Sequence, residues 1–185
     1  LQVPFTAPMS GTAIFAGRVL TPLEEITDGV VIVEDRRVAA VGRRDSVRVP
    51  AGAREIRAPE MTIVPGFMDV HIHGAGGHDV MEADPTALCV VARTAARFGT
   101  TSLVTTTVTA ALDPTCRSLE GIARFILAQS TPSETDAEAE ILGIHFEGPF
   151  ISHVRRGVHP QEWITAPSVE SCAGCWALPQ AAAKF

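Results

Sequence analysis

Polar and apolar positions change rhythm partway along the chain. From Thr12 to Arg57 the apolar runs are short and β-like: Thr12 to Ala16, Gly29 to Val33, Val38 to Val41 and Glu55 to Arg57. Turn formers separate them at Gly17, Asp28-Gly29, Glu34-Asp35 and Pro50-Ala51-Gly52. This spacing predicts a small antiparallel β unit over residues 1–60, and nothing in it forms a catalytic set. From Met61 the pattern becomes strand, helix, strand, helix, strand. Such alternation predicts βαβ units and a parallel sheet, an α/β architecture.

The first strand of this second part runs from Ile63 to His73 and dissolves into Gly74, Gly76 and Gly77. Asp84-Pro85 then reads as a helix N-cap followed by proline at the first helical position. Leu88, Val91, Ala92 and Ala95 recur at helical spacing, and Gly99 stands where a C-cap glycine belongs. A second strand, Thr100 to Val108, follows. Asp113-Pro114 repeats the start signal ahead of an apolar stripe of Leu119, Ile122, Ala123, Ile126 and Leu127. Ser130 to Ala139 is polar and acidic, a connection. The third strand, Ile141 to Phe146, ends in Glu147-Gly148-Pro149.

Alternation across a strand places Asp69, His71 and His73 on one face, with Val70 and Ile72 on the other. By the same rule Leu142, Ile144 and Phe146 meet the helices, while His145 and Glu147 face inward. In a parallel βα barrel the carboxyl ends of the strands form one open mouth. There His71, His73 and Glu147 converge as metal ligands, neutral imidazole being the commonest ligand type. The bland readings are a polar strand terminus for the histidines and a loop-anchoring carboxylate for Glu147. His145, one layer deeper, reads as an interior residue or one that supports a ligand. The glycines miss the dinucleotide fingerprint because Asp79 stands where its third glycine would fall. Gly76 and Gly77 are instead expected to let the backbone approach a substrate. His78 reads as a solvated loop histidine. Thr105, Thr106 and Thr107 are read as strand formers without chemistry.

Composition adds exclusions. The 185 residues are 46% hydrophobic and 19% charged with a net charge of -6, and the basic residues are scattered, which argues against a nucleic-acid surface. No apolar run reaches the roughly 18 residues of a membrane span, and no basic region followed by an apolar one opens the chain, so a cytoplasmic protein is expected. Cys89, Cys116, Cys172 and Cys175 are too unevenly spaced for a disulfide framework, so reduced thiols are the default. Cys172 and Cys175 have the C-x-x-C spacing of half a zinc site or of a redox pair, but lack a second pair for the one and a strand-to-helix setting for the other.

The segment Val64-Pro65-Gly66-Phe67-Met68-Asp69-Val70-His71-Ile72-His73-Gly74 resembles the first barrel strand of the amidohydrolase superfamily. More narrowly, His73-Gly74-Ala75-Gly76-Gly77, Gly99-Thr100-Thr101-Ser102, His145 to Ile151 and Arg156-Gly157-Val158-His159-Pro160 are similar to the N-acetylglucosamine-6-phosphate deacetylase family. The resemblance implies the first three or four βα units of a metal-dependent TIM-barrel hydrolase over residues 61–170. A partial small β-sandwich over 1–60 would precede them, and an irregular tail over 171–185 would follow. It implies a divalent metal, zinc or iron, as one or two ions, with Glu147 as a ligand and His71 and His73 able to hold a second ion. It places His159 near the sugar of an amino-sugar phosphate substrate, whose acetyl group the enzyme removes. About 250 residues build eight βα units, and residues 61–185 suffice for about four. The family's later histidine ligands and its aspartate general base have no counterpart here, so the base is expected beyond the end of this chain. A truncated chain, inactive alone, is therefore expected. Open sheet edges would favour association with another chain, such as a homodimer. Another amidohydrolase, a cyclic amidase or nucleobase deaminase, and a non-enzymatic fragment stay open as alternatives.

Overall fold

The structure, a computed structural model, describes residues 11–129 and 137–170, and its contacts divide the chain into two compact units between Pro65 and Gly66. The 171–185 tail and the Cys172 and Cys175 pair lie outside the described residues, as does most of the acidic connection after Gln129.

The first unit is a four-stranded sheet of β1 (Thr12–Leu20), β2 (Glu25–Glu34), β3 (Arg37–Arg43) and β4 (Arg54–Ile63), in the order β3-β2-β1-β4. Strands β1, β2 and β3 pair antiparallel as predicted, but β4 lies parallel to β1, so the sheet is mixed. Apolar spacing locates strands. It does not say that the connection from Arg43 to Arg54 carries the chain past two strands before β4 pairs. Among the described residues this unit is one four-stranded sheet. Alternation along β2 explains its two-sided burial: Val30 and Ile32 pack with Ala13 and Phe15, while Val31 packs with Val19 and Ile26. Strand β4 runs on through Ile63, which the pattern assigned to the next strand. Pro59 has no N–H for the ladder, and the register slips around it, from Ala16 opposite Ala58 to Arg18 opposite Thr62. Gly17 lies against the Pro59 carbonyl, where a side chain would not fit.

The second unit carries the parallel sheet. Its strands are β5 (Phe67–Ile72), β8 (Thr100–Thr106) and β9 (Glu140–His145), adjacent in that order. Helix α1 (Pro85–Arg97) connects the first pair and α2 (Leu112–Ala128) the second. Between β5 and α1 lie a short hairpin, β6 (Gly74–Ala75) and β7 (His78–Asp79), and a 3₁₀ turn over Val80–Glu82. The core is apolar and fully buried: Leu103 and Ile141 from the sheet, Leu88 and Val91 from α1, Ile122 from α2, and Val80. Helix α1 starts as predicted, with Pro85 at its first turn and the Asp84 carboxylate accepting the N–H groups of Thr86 and Ala87. Gly99, just past its end, has φ +89, which glycine adopts without strain. Helix α2 departs from expectation. It starts at Leu112 without a side-chain cap, and Asp113 lies inside the first turn, where Pro114 is also tolerated. Among the described residues, no helix is long and apolar enough to cross a membrane.

Two bulges overturn the simple parity of the sheet. Leu103 and Val104 face Ile141 and Gly143, so Leu142 is an extra residue on β9. Ile141 and Ile144 therefore both pack with the helix-side core, and Leu142 does not take the place predicted for it. On β5, Asp69 to Ile72 spans one residue more than Leu103 to Thr105 on β8. The alternation that was to align Asp69 with the histidines is broken there. Asp69 instead turns to its own backbone, accepting the His71 N–H at 3.1 Å.

Candidate metal centre

His71 is the next-to-last residue of β5, His73 lies one residue beyond the strand's end, and Glu147 stands just past β9. All three lie at the carboxyl end of one parallel sheet. Their ligand atoms, one from each side chain, fall within 4.8 Å of one another. His73 Nε2 is 3.3 Å from Glu147 Oε2, His71 Nε2 is 3.5 Å from the same oxygen, and the two Nε2 atoms are 3.2 Å apart. The His71 and His73 rings meet edge to face at 89°.

Three observations fit this trio to a divalent cation. His73 Nδ1 lies 3.0 Å from the Thr106 carbonyl oxygen, which only accepts, so the ring proton sits on Nδ1 and Nε2 keeps its lone pair. Glu147 Oε2 is buried and has no hydrogen-bond partner, although two imidazole nitrogens approach it. A buried carboxylate oxygen left in this state is costly unless a cation meets it. Two imidazoles and one carboxylate are, finally, a donor set that suits zinc and iron.

Threonines from the end of β8, which sequence reasoning left without chemistry, hold His73 and Glu147 in place. Thr105, Thr106 and Thr107 are completely buried. Besides the Thr106 carbonyl, Thr107 Oγ1 accepts the Glu147 N–H at 3.1 Å, and Thr107 N–H donates to the His145 carbonyl at 3.0 Å. A further threonine, Thr109, reaches His159. Its N–H donates to His159 Nδ1 at 3.2 Å, and its Oγ1 lies 2.8 Å from the same nitrogen. With Nδ1 accepting, the proton of His159 is on Nε2, 3.4 Å from Glu147 Oε1. His159 is buried, and Arg156 donates to its carbonyl at 2.6 Å. The signal for these anchors was a run of threonines at a strand's carboxyl end, where their polar groups have no sheet partner left.

The remaining candidates are spread around this centre. His145 Nδ1 lies 3.3 Å from His71 Nδ1, and its side chain is exposed, not interior. Gly76 has φ +64, and a side chain there would run into Val90 and Thr94 of α1. Close packing of the hairpin on the helix is thus one physical reason for glycine. Gly77, with φ +87, faces open space. His78 pairs with Glu82 at 3.1 Å. The Asp79 N–H first, and then His78, hold the Glu82 carboxyl below its ordinary pKa. Gly148 has φ +77 and lies against Thr109, so the turn after Glu147 has no room for a side chain.

No family model matches the chain. Individual relatives do. The N-acetylglucosamine-6-phosphate deacetylase of Bacillus subtilis is 34% identical over 153 residues, which is 82% of this chain and 37% of that protein. The enzyme of the same name from Vibrio furnissii is 35% identical over 162 residues, covering 84% of this chain and 37% of its own. Among solved structures, a mutant N-acetyl-D-glucosamine-6-phosphate deacetylase from Mycobacterium smegmatis, in complex with N-acetyl-D-glucosamine-6-phosphate, superposes with a TM-score of 0.76. The match is 29% identical and covers 94% of this chain and 42% of that structure. The chain spans about 37% of the length of the curated relatives it matches. Sequence and structure together make this chain a relative of the N-acetylglucosamine-6-phosphate deacetylases, matched over a little more than a third of their length.

Proposed function

We propose that this chain is the metal-binding part of an amidohydrolase that removes acetate from N-acetylglucosamine 6-phosphate, leaving glucosamine 6-phosphate. The observation that carries the reading is the convergence of His71, His73 and the unpartnered Glu147 Oε2 at the carboxyl end of a parallel sheet. That sheet is read as the first three staves of a TIM barrel, whose chemistry gathers at this end. The three side chains hold one divalent ion, zinc or iron, with a second ion compatible with the paired histidines. Such an ion supplies activation of water and polarisation of the acetyl carbonyl. His159 keeps its Nε2–H toward Glu147 Oε1, which orients the carboxylate so that Oε2 points at the histidines. The same buried histidine, with Gly76 and Gly77 of the turn between β6 and β7, is assigned to the sugar side of the site. Proton transfer to the leaving amine is assigned to a residue outside the described ones. Phe67, Met68 and Val70, all more than half exposed on β5, offer an edge for association with another chain, including a second copy.

Equilibrium dialysis against zinc and iron, paired with an acetate-release assay, tests this. The chain is expected to bind metal, to lose it in His71→Ala and Glu147→Gln, and to release no acetate by itself. Unchanged metal content in both variants would remove the centre.

A further inference from the structure

The metal reading gives His145 no task, yet its Nδ1 lies 3.3 Å from His71 Nδ1, with the rings at 79°. A contact of this length between two imidazole nitrogens needs a proton between them, carried by one ring or the other. The surroundings decide which. The Thr106 carbonyl fixes the His73 proton on Nδ1, so His73 Nε2 is an acceptor. His71 Nε2, 3.2 Å away, then supplies the proton of that contact. This leaves His71 Nδ1 bare, and His145 Nδ1 is its donor. In this arrangement one direction of donation therefore runs from His145 through His71 and His73 to the Thr106 carbonyl.

That direction is incompatible with His71 as a ligand. To offer its Nε2 lone pair, His71 has to carry its proton on Nδ1. His145 Nδ1 then has to accept, with its own proton on Nε2. We propose that His145 is a positioning residue for His71, reversing from hydrogen-bond donor to acceptor when a divalent metal is bound. Each ring keeps one proton throughout, so the change is two tautomer shifts by exchange with water, and no net proton is released. The exposed side chain of His145 gives water that access. Imidazole suits the task because the same ring nitrogen donates in one tautomer and accepts in the other. The inference rests on the metal centre proposed above and adds to it the residue that sets His71's ligand state.

The test is nitrogen-15 NMR of histidine-labelled full chain, with and without zinc, alongside zinc affinities of His145→Leu, His145→Asn and His145→Asp. Wild type is expected to show His71 protonated on Nε2 without zinc and on Nδ1 with it. Leucine neither donates nor accepts, and is expected to weaken zinc by about 10–100-fold, the usual effect of losing a ligand's hydrogen-bond partner. Asparagine, whose amide does either by flipping, should restore near wild-type affinity. Aspartate only accepts, so it should hold His71 as the Nδ1–H tautomer even without zinc and bind zinc at least as tightly as wild type. A space-filling role would not separate leucine from asparagine. Zinc that shifts His73 while leaving the His71 tautomer unchanged, or leucine binding as tightly as histidine, would overturn the role of His145 alone. Zinc that moves neither histidine would overturn the metal centre as well.

Discussion

His73 donates from Nδ1 to the Thr106 carbonyl oxygen at 3.0 Å, so the backbone of one strand decides which nitrogen of its neighbour's histidine is left for a ligand. Parallel pairing makes this possible. Ile72 sits opposite Thr105 on β8, which sets the next residue of each strand side by side beyond the last ladder pair. The main chain thus fixes a side-chain tautomer, which no substitution at Thr106 would remove directly.

Thr107 links Glu147 to the same strand end and can be tested by substitution. Thr107→Val keeps the β-branched shape and removes the oxygen that accepts the Glu147 N–H. Leaving that part-buried amide unpaired is expected to lower stability by about 1–3 kcal/mol. Urea unfolding of the two chains measures it. Zinc affinity should fall too, because the Glu147 backbone is no longer tied to the strand that holds His73.

Gly148 is the hinge on the other side of Glu147. With φ +77 and Thr109 standing where a β-carbon would go, Gly148→Ala incurs both backbone strain and a clash. An expected loss of about 1–3 kcal/mol from the left-handed conformation is a lower estimate, since displacing Thr109 also disturbs its two contacts with His159. Thermal and urea denaturation provide the check, and a neutral result would mean that the turn has more freedom than its geometry shows.

The two helix starts give a matched pair. Asp84 caps α1 with two hydrogen bonds, so Asp84→Ala should cost about 0.5–2 kcal/mol. Asp113 makes no cap in α2 and acts only through the helix dipole, so Asp113→Ala should cost at most about 0.3–1 kcal/mol. Equal losses in chemical denaturation would show that Asp113 caps α2 after all.

The same pair shows what could be read from the chain. Both Asp-Pro signals located a helix, because proline in a first turn is tolerated wherever the helix begins nearby. Only one located the cap, because capping depends on the φ and ψ of the residue before the helix. The strand ends were legible from apolar runs meeting His71-Ile72-His73 and Glu147-Gly148-Pro149. The parity within them was not. The extra residue at Leu142 and the bulge between Asp69 and Ile72 come from ladder register, which a period-2 reading cannot contain. The threonine anchors were missed for a related reason. Thr106 acts through its carbonyl, and nothing in a residue's identity reveals where its backbone points.

X-ray absorption at the zinc edge, on the zinc-loaded chain and on Glu147→Gln and His73→Ala, measures the central claim most directly. The account predicts at least two imidazole nitrogens and one carboxylate oxygen at about 2.0–2.2 Å, with one imidazole lost in His73→Ala and the carboxylate lost in Glu147→Gln. A first shell of sulfur, or of water alone, or one that neither substitution alters, would contradict it.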